Sequence, residues 1–523
     1  MRRPCAPASS SRPRRQRRED CVDQGMRTGT HSHAVPVVSG AHGESTLRFR
    51  CDLKDPAAVP LLHSWEHTIG SGHATLALRA DWQRQLTRCR RELGFRHVRF
   101  HGLLSDDVGT LVRESDELVY SFFNADQICD FLLSIDMRPF CELSFMPTAL
   151  ASGGDTVFHY RANVTPPKDY DAWATLIRKL AHHWVDRYGL AEVSRWFFEV
   201  WNEPNLKAFW TGSQADYFQL YARAARAIKD VHGSLQVGGP ATADNQWIPE
   251  LVSFCESKGV PLDFVSTHHY PTDAFGKPGD DTVSQLAQSK RSVLREEAAK
   301  ALEQASGKPL YYTEWSTSSN PFDDLHDQPY AAAFIAKTVM EVRGLVHAYS
   351  YWTFSDIFEE NYFTSKPFHG GFGLLTIHGV PKPAYRAYEI LHRLGDEILP
   401  VAGHHPTVDV WVTRNPGSVQ VLLTNGALPE HPIRTEMVRL TLSGVKTIRT
   451  AYVERIDDDH ANARRAWMEM GQPDTLLPRQ VAALETASAL IKAPIAFKAS
   501  GDVASLEVAM PAQGTALVTL ELA

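Results

Sequence analysis

Between about residues 58 and 395, short apolar runs alternate with amphipathic helical stretches, and the alternation repeats eight times. Few architectures accept such a pattern. The strand-like runs are 60–64 (Pro-Leu-Leu-His-Ser), 95–100, 138–143, 195–201, 235–239, 262–267, 308–313 and 346–353. Helical periodicity covers 81–93, 125–135, 170–188, 214–231, 283–303 and 331–346. Strand followed by helix, repeated this often, predicts an α/β fold: a (β/α)8 TIM barrel over 57–395, with its site at the C-terminal ends of the strands. The charged excursion 111–122, after the second strand, reads as a hairpin lying over that face.

Past residue 395 the period changes to two. Val408 to Thr413, the turn Asn415-Pro416-Gly417 and Val419 to Thr424 make a hairpin. Runs at 437–442, 447–454, 503–510 and 515–522 extend it into an accessory β-sandwich over 396–523. Residues 44–56, containing the run Leu47 to Leu53, precede the barrel and are expected to lend the sandwich one strand. Segments 461–471 and 476–490 read as helical or irregular interruptions. A chain of 523 residues is long enough for both units.

Residues 1–43 are expected to form a disordered basic arm. Arg2, Arg3, Arg12, Arg14, Arg15, Arg17 and Arg18 crowd it without the apolar run a signal peptide needs. It reads as an extension, or as upstream sequence with Met26 as the start. A net charge of −7 argues against a nucleic-acid binder. No stretch approaches the roughly 18 apolar residues of a membrane span. The seven cysteines are odd in number and widely spaced, so neither a disulfide framework nor a zinc site is indicated. They read as reduced thiols in a cytoplasmic protein.

Two carboxylates stand where a barrel enzyme would hold them. Glu203 follows the fourth strand within Trp201-Asn202-Glu203-Pro204-Asn205, and Glu314 ends the seventh within Pro309 to Trp315. Far apart in the chain, both side chains can face one central cavity once the barrel closes. A pair of carboxyl groups is what glycoside hydrolysis requires, one to protonate the leaving oxygen and one to attack or to activate water.

At these residues the chain resembles the retaining glycoside hydrolases whose acid/base follows strand four and whose nucleophile follows strand seven. More narrowly, it is similar to the β-xylosidases of glycoside hydrolase family 39. The likeness is carried by 99–107 (Arg-Phe-His-Gly-Leu-Leu-Ser-Asp-Asp), 201–205, 267–271 (Thr-His-His-Tyr-Pro), Thr313-Glu314-Trp315 and 351–360 (Tyr-Trp-Thr-Phe-Ser-Asp-Ile-Phe-Glu-Glu). It extends over roughly 45–523 and leaves the arm outside.

The resemblance implies Glu203 as general acid/base and Glu314 as nucleophile. Asn202 would hold the sugar 2-hydroxyl, Tyr270 would donate to Glu314, and His268 would lie beside the two carboxyls, with His269 turned the other way by strand alternation. His101 would meet sugar hydroxyls, and Arg99, on the same strand face, would supply positive charge beneath Glu314. Glu359 and Glu360 would grip the terminal xylose over the apolar floor of Trp352. Phe145 reads as pocket wall or as core.

The implied activity is exo-acting removal of xylose from xylo-oligosaccharides by double displacement, with no cofactor and no metal. Family likeness also allows a homo-oligomer, dimer or tetramer. An arabinosidase or an α-L-iduronidase on the same scaffold is the competing specificity. A non-catalytic sugar-binding barrel is a different class, and it would lack one of the two carboxylates.

Overall fold

The computed structural model describes residues 46–274, 281–360 and 366–523. The basic arm, 1–43, lies outside them. Eight parallel strands close into a barrel in chain order: β1 (Thr68–His73), β2 (His97–His101), β3 (Arg138–Leu143), β4 (Phe197–Val200), β5 (Gln236–Thr242), β6 (Phe264–His268), β7 (Leu310–Trp315) and β8 (Ala348–Tyr351). Behind them run α1 (Ala80–Leu93), α2 (Phe123–Ser134), α3 (Tyr170–Tyr188), α4 (Gln214–Val231), α5 (Ile248–Lys258), α6 (Val293–Gln304), α7 (Pro329–Val342) and α8 (Pro383–His392). Local chemistry sets their ends. Asp169 caps α3 by accepting from the Asp171 amide at 2.8 Å, and Ser213 with Asp216 forms a capping box on α4. Gly94, left-handed at φ +77, closes α1. Among the described residues, no helix is long and apolar enough to cross a membrane.

The first barrel strand is not the run 60–64 that the apolar pattern indicates. Val59–Pro60 pairs antiparallel with Glu397–Leu399, and Ser64–Glu66 is a single 3-10 turn. The barrel strand is Thr-Ile-Gly-Ser-Gly-His, which has few β-formers. Its glycines are dictated by contact. A Cβ on Gly70 would stand 2.5 Å from the Trp352 ring, and one on Gly72 would stand 2.4 Å from the Phe358 carbonyl oxygen. The helical stretch 283–303 also divides, into Thr282–Ala287 and α6. The 111–122 hairpin forms, with Leu111–Glu114 against Glu117–Tyr120.

Strand alternation builds the barrel interior in layers. Phe140, Phe197, Phe264 and Tyr311 fill one layer with Ala348, and Phe140 stacks on Phe197 at 5.1 Å. Two residues beyond Phe140, Phe197 and Tyr311 stand Glu142, Glu199 and Thr313, and Arg99 joins them from β2, all buried. An apolar plug therefore underlies a charged floor, and the floor faces the C-terminal mouth.

The sandwich has two sheets around their own core, which includes Val412, Val421, Leu440, Val508 and Val518. Leu47–Asp52 joins it in parallel with Glu436–Ser443. Segments 461–471 and 476–490 contain the helices Ala463–Glu469 and Pro478–Ser488. α7, buried over nearly its whole length, lies between the barrel and the strand Gly514–Leu522.

Candidate active site

Arg99 is the hub of the floor. Its guanidinium reaches Glu199 at 2.5 Å, Glu314 at 2.7 Å, Glu142 at 2.8 Å and the Asn202 side-chain oxygen at 2.9 Å. The rigid donor fork of arginine suits several acceptors at once. Glu142 and Glu199 escape a reading based on strand ends, because they lie inside the strands. The available signal was a charged residue within an apolar run, in Phe-Cys-Glu-Leu and Phe-Phe-Glu-Val. Burial lifts the Glu199 carboxyl despite Arg99. Glu142 is held low because His101 and Arg99 outweigh its burial.

Above this floor Glu314 is gripped at both oxygens, one by Arg99 and the other by the Tyr270 hydroxyl at 2.8 Å. Glu203 rises from a strained turn after β4. Trp201 and Glu203 have φ of +74 and +43, and the Glu203 amide donates to the Ala241 carbonyl at 2.8 Å. A carboxylate oxygen of Glu203, one of Glu314 and a His268 ring nitrogen all lie within 4.8 Å of one another. The acidic pair predicted from two strand ends is thus brought together.

A short hydrogen-bond chain fixes the proton on Glu203. Thr313 Oγ1 donates its only proton to Glu199 at 2.8 Å, so at its 3.1 Å contact with His268 Nε2 it accepts. Burial, followed by the charges of Arg99 and His101, pushes the His268 pKa well down, so the ring is neutral. Its proton is then on Nε2, and Nδ1 is left to accept. Glu203 Oε1 stands 3.0 Å from that Nδ1 and must therefore donate. Burial and then the Glu314 charge raise the Glu203 carboxyl well above the carboxylate range, consistent with a held proton.

The remaining predicted residues separate. His101 pairs with Glu142 at 2.7 Å and lies 3.6 Å from Glu360 and 3.8 Å from Glu314. Trp352 packs beside it at 4.7 Å between ring centroids. Burial drives Glu360 up to about 8. Glu359 is not in this cluster. It occupies a left-handed conformation, φ +55, and its side chain turns outward to Arg79. Phe145, fully buried, packs edge-on to Trp201 at 5.6 Å and 6.0 Å from His101, so it backs the pocket from within the core. His269 pairs with Asp244, its Nδ1 3.3 Å from Oδ1.

Two supports carried no sequence signal. The segment Thr156–Asn163 bends over the mouth: Tyr160 stacks on His73 at 3.6 Å, and the His159 amide donates to the Glu360 carbonyl at 2.9 Å. The loops after β7 and β8 are pinned together by Lys382, fully buried and 2.7 Å from both Asp327 and Asp356.

The profile of the glycosyl hydrolases family 39 matches residues 52–504. A β-xylosidase of Caldicellulosiruptor saccharolyticus is 51% identical over 438 residues, which cover 83% of this chain and 90% of that protein. One from Geobacillus stearothermophilus is 39% identical over 433 residues, covering 78% of this chain and 83% of its own. The crystal structure of a monomeric β-xylosidase from Caulobacter crescentus CB15 superposes with a TM-score of 0.80 at 34% identity, covering 91% of this chain and all of that one. With the profile matched across nearly the whole described chain, and the paired carboxylates at the barrel mouth, this protein belongs to family 39 of the glycosyl hydrolases.

Proposed function

We propose that the protein is a retaining β-D-xylosidase that removes xylose from the non-reducing end of xylo-oligosaccharides. The observation that carries this reading is the meeting of Glu203 and Glu314 with oxygens within 4.8 Å of each other, the first hydrogen-bonded to His268 and the second held by two donors. Retaining enzymes keep their carboxyls about 5–5.5 Å apart, whereas inverting ones leave roughly 6.5–9.5 Å for a water. The relatives named β-xylosidase support the choice of sugar.

Glu314 attacks the anomeric carbon while Glu203 passes its proton from Oε1 to the glycosidic oxygen, and the shortened sugar leaves. Water then attacks the xylosyl ester; Glu203 takes the water's proton and free xylose departs. Arg99 and Tyr270 orient the attacking carboxylate. Asn202, fixed by Arg99, is placed to hold the 2-hydroxyl, a contact that strengthens as the ring becomes cationic. His101 and Glu360 bind hydroxyls of the terminal sugar, with Trp352 as its wall. A uronate would need a free cation here, and Arg99 already serves four acceptors. That favours a neutral sugar over the iduronidase alternative. The five described cysteines are buried and unpaired, which supports a reducing, cytoplasmic setting.

Hydrolysis of 4-nitrophenyl β-D-xylopyranoside, followed by NMR, is expected to release β-xylose first. Release of α-xylose would overturn retention, and turnover only of an arabinoside or uronide would overturn the sugar.

Rate should also report the proton chain. The first step needs Glu203 protonated, so kcat/KM falls as pH rises through its raised pKa. Replacing Thr313 by Val removes the acceptor for His268 Nε2–H and frees the ring to place its proton on Nδ1, where it would stabilise ionised Glu203. The alkaline limb of the pH profile is then expected to move about one unit toward lower pH. A limb that stays in place would show that the His268 tautomer is set elsewhere.

A further inference from the structure

The flank of Glu203 toward β5 and β6 differs from the enclosed side that holds Arg99, Glu314, Glu360 and Trp352. It is open and polar. Asp244, on the turn that ends β5, has a side chain 57% exposed, whereas the His268 side chain one strand over is fully buried.

That turn is built with care. Asn205, last residue of the Trp-Asn-Glu-Pro-Asn run, accepts from the Ala243 amide at 3.0 Å and donates to the Ala243 carbonyl at 3.1 Å and to Gln246 at 3.3 Å. Together with the Glu203 amide bonded to Ala241, these contacts lock the β5 turn to the loop that carries Glu203. Asp244, Asn245 and Trp247 have φ of +56, +56 and +62, a conformation ordinary side chains rarely adopt and one that collects at ligand sites. The result is that Asp244 stands over the mouth. Its charge reaches Glu203, where it adds to the forces that keep that carboxyl protonated.

His269 completes the group from β6. Its Nδ1 approaches Asp244 Oδ1 at 3.3 Å, yet this nitrogen is buried and completes no hydrogen bond. The pair still faces the open flank, with 57% of the Asp244 side chain and 14% of the His269 side chain exposed, so the carboxylate and the ring edge can meet the hydroxyls of a ligand.

A terminal sugar with its anomeric carbon at Glu314 must place its leaving oxygen at Glu203. Arg99, Glu314, Glu360 and Trp352 are all buried whereas Asp244 is exposed, which directs the next sugar past Glu203 toward the β5 and β6 ends. We propose that Asp244 and His269 form the binding site for the leaving-group sugar, a neutral pyranose taken through its hydroxyls. Charged and imidazole groups select hydroxyl donors and acceptors, in contrast to the aromatic platforms that would favour aryl aglycones.

This inference rests on the assignment of Glu203 as acid, and the experiment separates the two. The quantity to read is the ratio of kcat/KM for xylobiose to kcat/KM for 4-nitrophenyl β-D-xylopyranoside, whose leaving group offers no hydroxyls. In Asp244→Ala and in His269→Ala the ratio is expected to fall about tenfold. A melting curve checks that each variant is folded. A ratio within about twofold of the unsubstituted enzyme in both variants would overturn the proposal. Because nitrophenolate needs little protonation, an effect passing through Glu203 would also lower the ratio, so the ratio is read below the alkaline limb, where Glu203 is protonated in every variant; a fall that disappears there would likewise overturn the proposal. Failure of the unsubstituted protein to turn over either xyloside would instead remove the xylosidase reading, and this proposal with it.

Discussion

Replacing Glu314 with Gln is expected to lower turnover of 4-nitrophenyl β-D-xylopyranoside on the order of 10⁴-fold or more, the scale at which enzymes lose a covalent nucleophile. The substitution keeps shape: the amide oxygen can still accept from Arg99, and the amide faces Tyr270, whose hydroxyl can accept as well as donate. A variant that is folded but silent is therefore the expected result. The comparison with Glu203→Ala makes the roles distinct. Loss of a general acid/base costs about 10²–10⁴-fold, and nitrophenolate leaves without much protonation, so the first step survives better than the second. The xylosyl ester on Glu314 should then accumulate and be detectable by mass spectrometry of the intact protein. Added azide should restore turnover, because it attacks without needing a base. Equal, unrescued loss in both variants would remove the assignment of roles.

Arg99→Met is expected to be the most damaging change to the fold of the site. Arg99 and Glu142 are fully buried, as is Glu199, and Glu314 is nearly so. Removing the cation leaves three carboxyl groups facing one another at short range. Breaking a buried ion pair by deleting one partner costs about 3–5 kcal/mol, to be measured here by urea denaturation. Arg99→Lys is expected to recover little of this, because a single ammonium cannot copy a planar fork that reaches four acceptors. A lysine variant as stable as the parent would mean that charge alone, without geometry, holds the floor together.

Some of this was legible in the residues. The strand–helix alternation predicted a closed barrel because period 2 and period 3.6 are local properties that neighbouring side chains impose on the backbone. Glu203 and Glu314 were recognisable because a carboxylate at a strand end has a place in a barrel before any coordinates are known. His268 and His269 could be told apart by alternation alone: one meets the carboxyl pair and the other Asp244.

Other features had no local signature. β1 hides in Thr-Ile-Gly-Ser-Gly-His because its glycines answer to Trp352 and Phe358, which lie nearly three hundred residues downstream. Glu359 and Glu360 are adjacent and identical in kind, yet one turns to Arg79 at the surface and the other is buried beside His101. The hub at Arg99 joins Glu314 across 215 positions of chain. Sequence by itself determined seven of the eight barrel strands, six of the eight helices behind them and the two carboxylates at the mouth, since each follows from residues within a few positions of one another. Only the tertiary structure decided which charges share the floor, which glutamate faces the sugar and where the acid keeps its proton, because those energies depend on distance and burial that exist only once the barrel has closed.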